Sequence, residues 1–142
     1  MVHTFTGSCY CGSIQYTVSL DSLDQARTSI CHCRNCRKFT GGPSGITTKL
    51  PRSTLTITSG APKTHVSDNG SGTKLTREFC GECGSGIAEY GENAGENTYV
   101  FYGSFDEEGL EKLAPKGEFF TKYRREWNPP VPGTFQKKEI KE

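Results

Sequence analysis

The sequence predicts an all-β fold, mostly antiparallel sheets with short helical turns. Three observations carry that expectation. Glycine is abundant at 17 of 142 residues, with 7 prolines, and only 32% of residues are hydrophobic, a composition of many short strands and turns rather than long helices. Apolar residues alternate with polar ones in short runs, the period of a half-buried strand. Seven cysteines gather in three tight groups, and a small core of this kind is commonly supported by a metal or another staple.

Taken in order, Ile14, Tyr16 and Val18 alternate with Gln15, Thr17 and Ser19 and read as a strand. Residues 46–50 form another, stopped at Pro51, and Leu55 and Ile57 among threonines a third. The run Asp68-Asn69-Gly70-Ser71-Gly72 is a turn by composition. It joins His65 and Val66 to residues 74–79 in an expected hairpin. Residues 87–90, 98–102 and 118–123 read as further strands. Helical pattern is scarce: a short turn over 34–39 and another over 106–113. Residues 40–45 are a glycine-rich loop. Length and lack of internal repeats predict one domain over residues 1–128. Residues 129–142, with Pro129, Pro130, Pro132 and a charged end, are expected to be a loosely held tail.

Charge excludes more than it suggests. Seventeen Lys and Arg balance sixteen Asp and Glu, for a net charge of +1, and no long block has one sign. Nothing in this marks a nucleic-acid or acidic-membrane partner. No stretch approaches the roughly 18 apolar residues of a membrane span, and Met1 to Thr6 lacks the basic and apolar regions of a signal peptide. A cytoplasmic location follows as the expectation. Thiols stay reduced there, so clustered cysteines favour metal over disulfides, and seven cannot all pair within one chain.

The cysteine groups are Cys9-Tyr10-Cys11-Gly12, Cys31-His32-Cys33-Arg34-Asn35-Cys36 and Cys80-Gly81-Glu82-Cys83-Gly84. Close spacing lets two thiolates of one tight turn reach the same ion, and the neighbouring glycines permit the turn. Two such pairs complete a tetrahedral site, so Cys9, Cys11, Cys80 and Cys83 are expected to hold one structural zinc. Cys31, Cys33 and Cys36 would hold a second, giving two Zn²⁺ per chain. Three ligands leave a position open for water or substrate. The alternatives are a closed site with His32 or another residue as fourth ligand, or an empty or redox-active cluster. His32 lies between two ligands, and adjacent side chains tend to diverge, which speaks against it. Three thiolates around Zn²⁺ carry a formal charge of −1, which weakens the ion as a Lewis acid and suits a fourth, soft sulfur ligand held as a thiolate.

These groups, together with Gly7-Ser8 before the first, Arg37-Lys38-Phe39-Thr40-Gly41 after the second and Arg77-Glu78-Phe79 before the third, resemble the glutathione-dependent formaldehyde-activating enzyme family, which includes centromere protein V. Residues 99–104 and Lys122-Tyr123-Arg124-Arg125-Glu126-Trp127 extend the likeness over most of the chain. The resemblance implies a zinc-containing β-tent fold, a structural zinc on the outer clusters and a second zinc on the middle one. The implied activity is that of a carbon–sulfur lyase joining glutathione, or a related thiol, to a small aldehyde, with glutathione or a thiol adduct as the small-molecule partner. A lyase or isomerase acting on a larger metabolite through the same open zinc is a sister reading, and a zinc module that binds a protein without catalysis is the reading from another class. Outside the cysteines, His65 reads as a general base or an exposed strand histidine. Arg124 and Arg125 read as a carboxylate clamp or a solvated pair, Tyr123 and Trp127 as pocket or packing residues, and Ser44 as a loop residue near the open zinc.

Overall fold

The computed structural model describes residues 2–70 and 72–140, and two sheets carry most of its regular structure. Met1, Lys141, Glu142 and Ser71 of the expected turn lie outside the described residues. In chain order the elements are β1 (His3–Ser8), β2 (Gln15–Leu20), β3 (Arg27–Cys31), α1 (Arg34–Thr40), β4 (Gly45–Pro51), β5 (Leu55–Ser59), β6 (Lys63–Asp68), β7 (Lys74–Phe79), β8 (Gly86–Gly91), β9 (Asn97–Phe101), α2 (Glu107–Lys112), β10 (Gly117–Phe119) and β11 (Phe135–Gln136). Short 3-10 turns link several of them.

The smaller sheet runs β1-β2-β5 and the larger runs β11-β10-β3-β4-β9-β8-β7-β6. Strand β2 forms where the alternation is clearest: Tyr16, Val18 and Leu20 are buried and their neighbours face out. These side chains and Phe5 pack against Leu50, Ile87, Ala88 and Val100 of the larger sheet, with Phe105 and Leu113 at one end, so the core lies between the sheets. Tyr16 stands edge-on to Phe105 at 5.9 Å, and its hydroxyl pairs with Ser104 Oγ at 2.6 Å. Gly7 makes that placement possible: a Cβ there would lie 2.3 Å from Tyr16 Cζ.

All pairings are antiparallel except those of β10, which runs parallel to both β3 and β11. The expected hairpin is β6 and β7, with Asp68 Oδ1 accepting from the amides of Gly70 (2.6 Å) and Gly72 (3.1 Å). Helix α1 starts where the Cys33 thiol accepts from the Cys36 amide and stops at Gly41, whose φ of 75° is left-handed. That is the usual physical reason for a glycine after a helix. Among the described residues no helix is long and apolar enough to cross a membrane.

Three expectations change. Residues 118–123 are not one strand: β10 ends at Phe119, because Phe120 takes a left-handed φ of 54° and residues 121–123 wind into a 3-10 turn. The segment from Pro129 is not loosely held. It docks as β11, with Phe135 N donating to Lys116 O (3.0 Å) and Lys137 N to Glu118 O (2.9 Å). Strands β1 and β3 were not anticipated, since each carries few apolar side chains.

Candidate functional site

The turn after β1 and the turn after β7 are built alike. Cys9 N donates to Ile14 O (3.0 Å) and Cys80 N to Ser85 O (2.9 Å). Gly12 N returns to Cys9 O and Gly84 N to Cys80 O, with Gly12 and Gly84 both at positive φ. The two knuckles face each other, and the sulfurs of Cys9, Cys11, Cys80 and Cys83 all lie within 4.8 Å of one another. Cys9 and Cys11 are 3.6 Å apart and Cys11 and Cys80 are 3.7 Å apart. A tetrahedral ion with Zn–S bonds of about 2.3 Å would put sulfurs about 3.8 Å apart, so the group fits such an ion.

Hydrogen-bond donors crowd these sulfurs. The Ile14 amide reaches Cys9 at 3.2 Å and the Glu82 amide reaches Cys80 at 3.4 Å. Ser13 Oγ stands 3.1 Å from Cys11 and 3.2 Å from Cys80, and Ser85 Oγ stands 3.1 Å from Cys83. Burial pushes the Cys9 thiol up, but the Ile14 amide, Ser13 and the other thiols outweigh it and bring it down to about 7. The Ser85 hydroxyl, then its amide and that of Cys11, bring Cys83 down to about 5. Donors aimed at sulfur favour the thiolate, the form that binds metal. Because one knuckle belongs to the smaller sheet and the other to the larger, an ion here would tie the two sheets together.

The second group stands where β3 gives way to α1. The sulfurs of Cys31, Cys33 and Cys36 lie within 4.8 Å of one another. Hydrogen bonds from the Cys31 and Cys36 thiols hold Cys33 far below the ordinary thiol range, and the same sharing, with burial, pushes Cys31 and Cys36 up. Gly45 lets α1 sit close to β4, since a Cβ there would be 2.9 Å from Cys36 Cβ. Among the described residues no fourth His, Asp, Glu or Cys joins the group. His32 has a different partner: its Nε2 donates to Glu118 Oε1 at 2.6 Å, and both side chains are buried.

Cys33 and Cys36 border a cleft of roughly 870 Å³, which continues past Cys36 into a smaller hollow of about 180 Å³ that Cys31 and Cys36 line. Its floor is one face of the larger sheet, and strand register explains its composition. Arg27 pairs with Lys49, Lys49 with Tyr99, Tyr99 with Glu89 and Glu89 with Arg77, so these five side chains make a row across β3, β4, β9, β8 and β7. The opposite face carries Thr28, Thr48, Leu50 and Val100 into the core. Arg77 Nε donates to Glu89 Oε2 at 3.0 Å and its guanidinium covers the Phe39 ring at 4.8 Å. Burial nevertheless raises the Glu89 carboxyl above its ordinary value, against the pull of Arg77. Arg34, Arg37 and Arg125 add further positive charge at the border, so the cleft is cationic although the chain is nearly neutral.

The remaining sequence candidates divide. Tyr123 and Arg125 line the cleft. Arg124 turns inward, 3.5 Å from Glu118. Trp127 is exposed at 71%. His65 is exposed on β6 and Ser44 is half-buried with its carbonyl taken by Thr40; neither borders the cleft. Arg77, Glu89, Tyr99 and Glu118 were not singled out from sequence. Only the cross-strand register brings the first three together, so no local spacing announced them.

A family model described as glutathione-dependent formaldehyde-activating enzyme matches residues 4–123. A curated protein of Aspergillus terreus, described as "Putative glutathione-dependent formaldehyde-activating enzyme", is 33% identical over 76 residues, which is 54% of this chain. The chain spans 38% of that relative's length in the match. The crystal structure of a Rhodobacter sphaeroides protein is similar in fold, with a TM-score of 0.56 and 22% identity over 72% of this chain and 88% of that one.

Proposed function

Because the chain belongs to the glutathione-dependent formaldehyde-activating enzyme family, we propose that it is a zinc-dependent carbon–sulfur lyase, joining glutathione or a related thiol to a small aldehyde or cleaving such an adduct at Cys31, Cys33 and Cys36. The observation that carries this reading is a group of three sulfurs, with no fourth protein ligand among the described residues, opening on a cationic cleft. A second zinc, on Cys9, Cys11, Cys80 and Cys83, is structural in this reading.

Bound at the middle group, zinc would supply a soft, open position that favours sulfur in its thiolate form. The chain's own residues do the rest. Arg27 and Lys49 on the floor, with Arg34 and Arg37 at the border, attract a ligand carrying carboxylates and orient it. Glu89, its carboxyl raised by burial, is the cleft-floor group that would exchange a proton with the substrate, and Arg77 fixes its position. In the addition, a carbon–sulfur bond forms as the carbonyl π bond breaks. The proton that leaves sulfur ends on the former carbonyl oxygen, with no net oxidation; cleavage is the reverse.

The test is turnover of glutathione and formaldehyde by holo-protein, followed by NMR of the hydroxymethyl adduct against the uncatalysed rate. Cys33→Ser should abolish the enhancement while leaving a folded protein. Thiol binding without any turnover of this pair would instead favour the larger-metabolite reading.

A further inference from the structure

The family match ends at Tyr123, yet the cleft does not. Past that point the chain doubles back and lies along β10. Thr121 N donates to Lys137 O at 3.0 Å and Lys122 Nζ reaches Glu139 Oε1 at 2.6 Å. The Phe135 ring stands edge-on to Phe119 at 5.3 Å, over Gly117, where a Cβ would come within 2.1 Å of it. Ile140 then reaches the border of the cleft.

One buried side chain joins this strap to the middle cysteine loop. Glu118 is 1% exposed. Its Oε2 accepts from Val131 N at 2.8 Å and from Gln136 Nε2 at 3.0 Å, both on the strap side. Its Oε1 accepts from His32 Nε2 at 2.6 Å. His32, between Cys31 and Cys33, is also held through its backbone, whose N–H donates to Phe119 O at 3.1 Å. Burying a carboxylate is costly unless it is paired and hydrogen-bonded; both oxygens of Glu118 have partners, which fixes one geometry around it. Here that geometry relates the strap to the loop that carries the thiols.

We propose that Glu118 is a positioning residue that couples the strap, residues 131–140, to the Cys31–His32–Cys33 loop, so that the strap is a working wall of the middle site. This rests on the reading of Cys31, Cys33 and Cys36 as a metal site. Contacts around a metal's ligands typically change affinity about 10–100-fold when removed.

The test uses full-length protein titrated with Co²⁺ in competition with a chromophoric chelator, which separates the two sites by affinity and band shape. Glu118→Ala should weaken the middle site about tenfold or more and leave the four-cysteine site unchanged, and Glu118→Gln, which keeps one acceptor oxygen, should recover part of the loss. Amide exchange supplies a second readout: loading the middle site should slow exchange at Val131, Phe135 and Lys137 in the parent protein and not in Glu118→Ala. Equal weakening of both sites, or strap exchange in the parent that ignores loading, overturns the coupling. If Glu118→Ala does not fold, Gln136→Ala decides, because its side chain is at the surface end of the network; an unchanged middle-site affinity there also overturns it. A parent that binds no cobalt at the middle group sinks the proposed function and this inference together, whereas normal binding with no strap response sinks only the inference.

Discussion

The two cysteine groups use the same side chain for different ends. The four-cysteine group is drawn from two knuckles on different sheets, with Cys9 and Cys80 buried, and backbone amides and serine hydroxyls contact its sulfurs. The three-cysteine group comes from a single local turn, all its members half-buried, and it faces a cleft. An ion on the first would close the chain between Cys11 and Cys80, 69 positions apart, and so act on its entropy. One on the second would close almost no loop and contribute little to the fold in that way. What differs is where the backbone takes the thiols, and with it whether a ligand can approach them.

That comparison should break apart on mutation. On the proposed structural zinc, Cys80→Ser would remove a ligand from a site whose apparent affinity is worth on the order of 10 kcal/mol of folding free energy. This matches or exceeds the stability of a typical domain, so the variant should be largely unfolded by circular dichroism. Cys36→Ser should stay folded and lose only the middle ion by elemental analysis. Identical melts for both variants and the parent would erase the distinction.

The next effect concerns acid stability. The Glu118 carboxyl is raised by burial but lowered more by the Val131 amide, Gln136, His32 and Arg124, to about 2. Its folded value lies below the unfolded one, so its stabilisation is present above about pH 4.3 and is lost as pH falls toward 2. Glu118→Gln should cost about 2 kcal/mol at neutral pH, and the gap from the parent in thermal melts should close across that acid window. A gap that does not vary with pH would mean that the carboxylate's charge is not what the network uses.

The smallest effect is at the cleft floor. Lys49→Met should weaken binding of a carboxylate-bearing thiol several-fold, on the order of 1 kcal/mol, more at low salt than at high. Binding of a neutral thiol such as 2-mercaptoethanol should be unaffected. Equal losses for both thiols would place the role of Lys49 in shape rather than charge.

Sequence reached some of this and not the rest, for physical reasons. Clustered cysteines are a local pattern, and the fold gathers the sulfurs in the two groups that their spacing suggested. Strand β2 was legible because Tyr16, Val18 and Leu20 alternate cleanly. Strand β1 was not, because Gly7 occupies an inward position to make room for Tyr16 and so hides the period. The strap read as loose because Pro129, Pro130 and Pro132 break regular structure. It is held instead by long-range partners, Glu118 and Gly117, that local composition does not reveal. The cleft floor was the least legible: Arg27, Lys49, Tyr99, Glu89 and Arg77 come from five strands and meet only through register.

The most direct measurement of the central claim is the absorption spectrum of the cobalt-substituted protein as glutathione is added. Cobalt bands report the number and kind of ligands. Glutathione should shift the bands of the three-cysteine site toward four-sulfur coordination and leave those of the four-cysteine site unchanged. A middle site that already shows closed four-ligand bands and ignores glutathione would contradict it, and the group would then be structural.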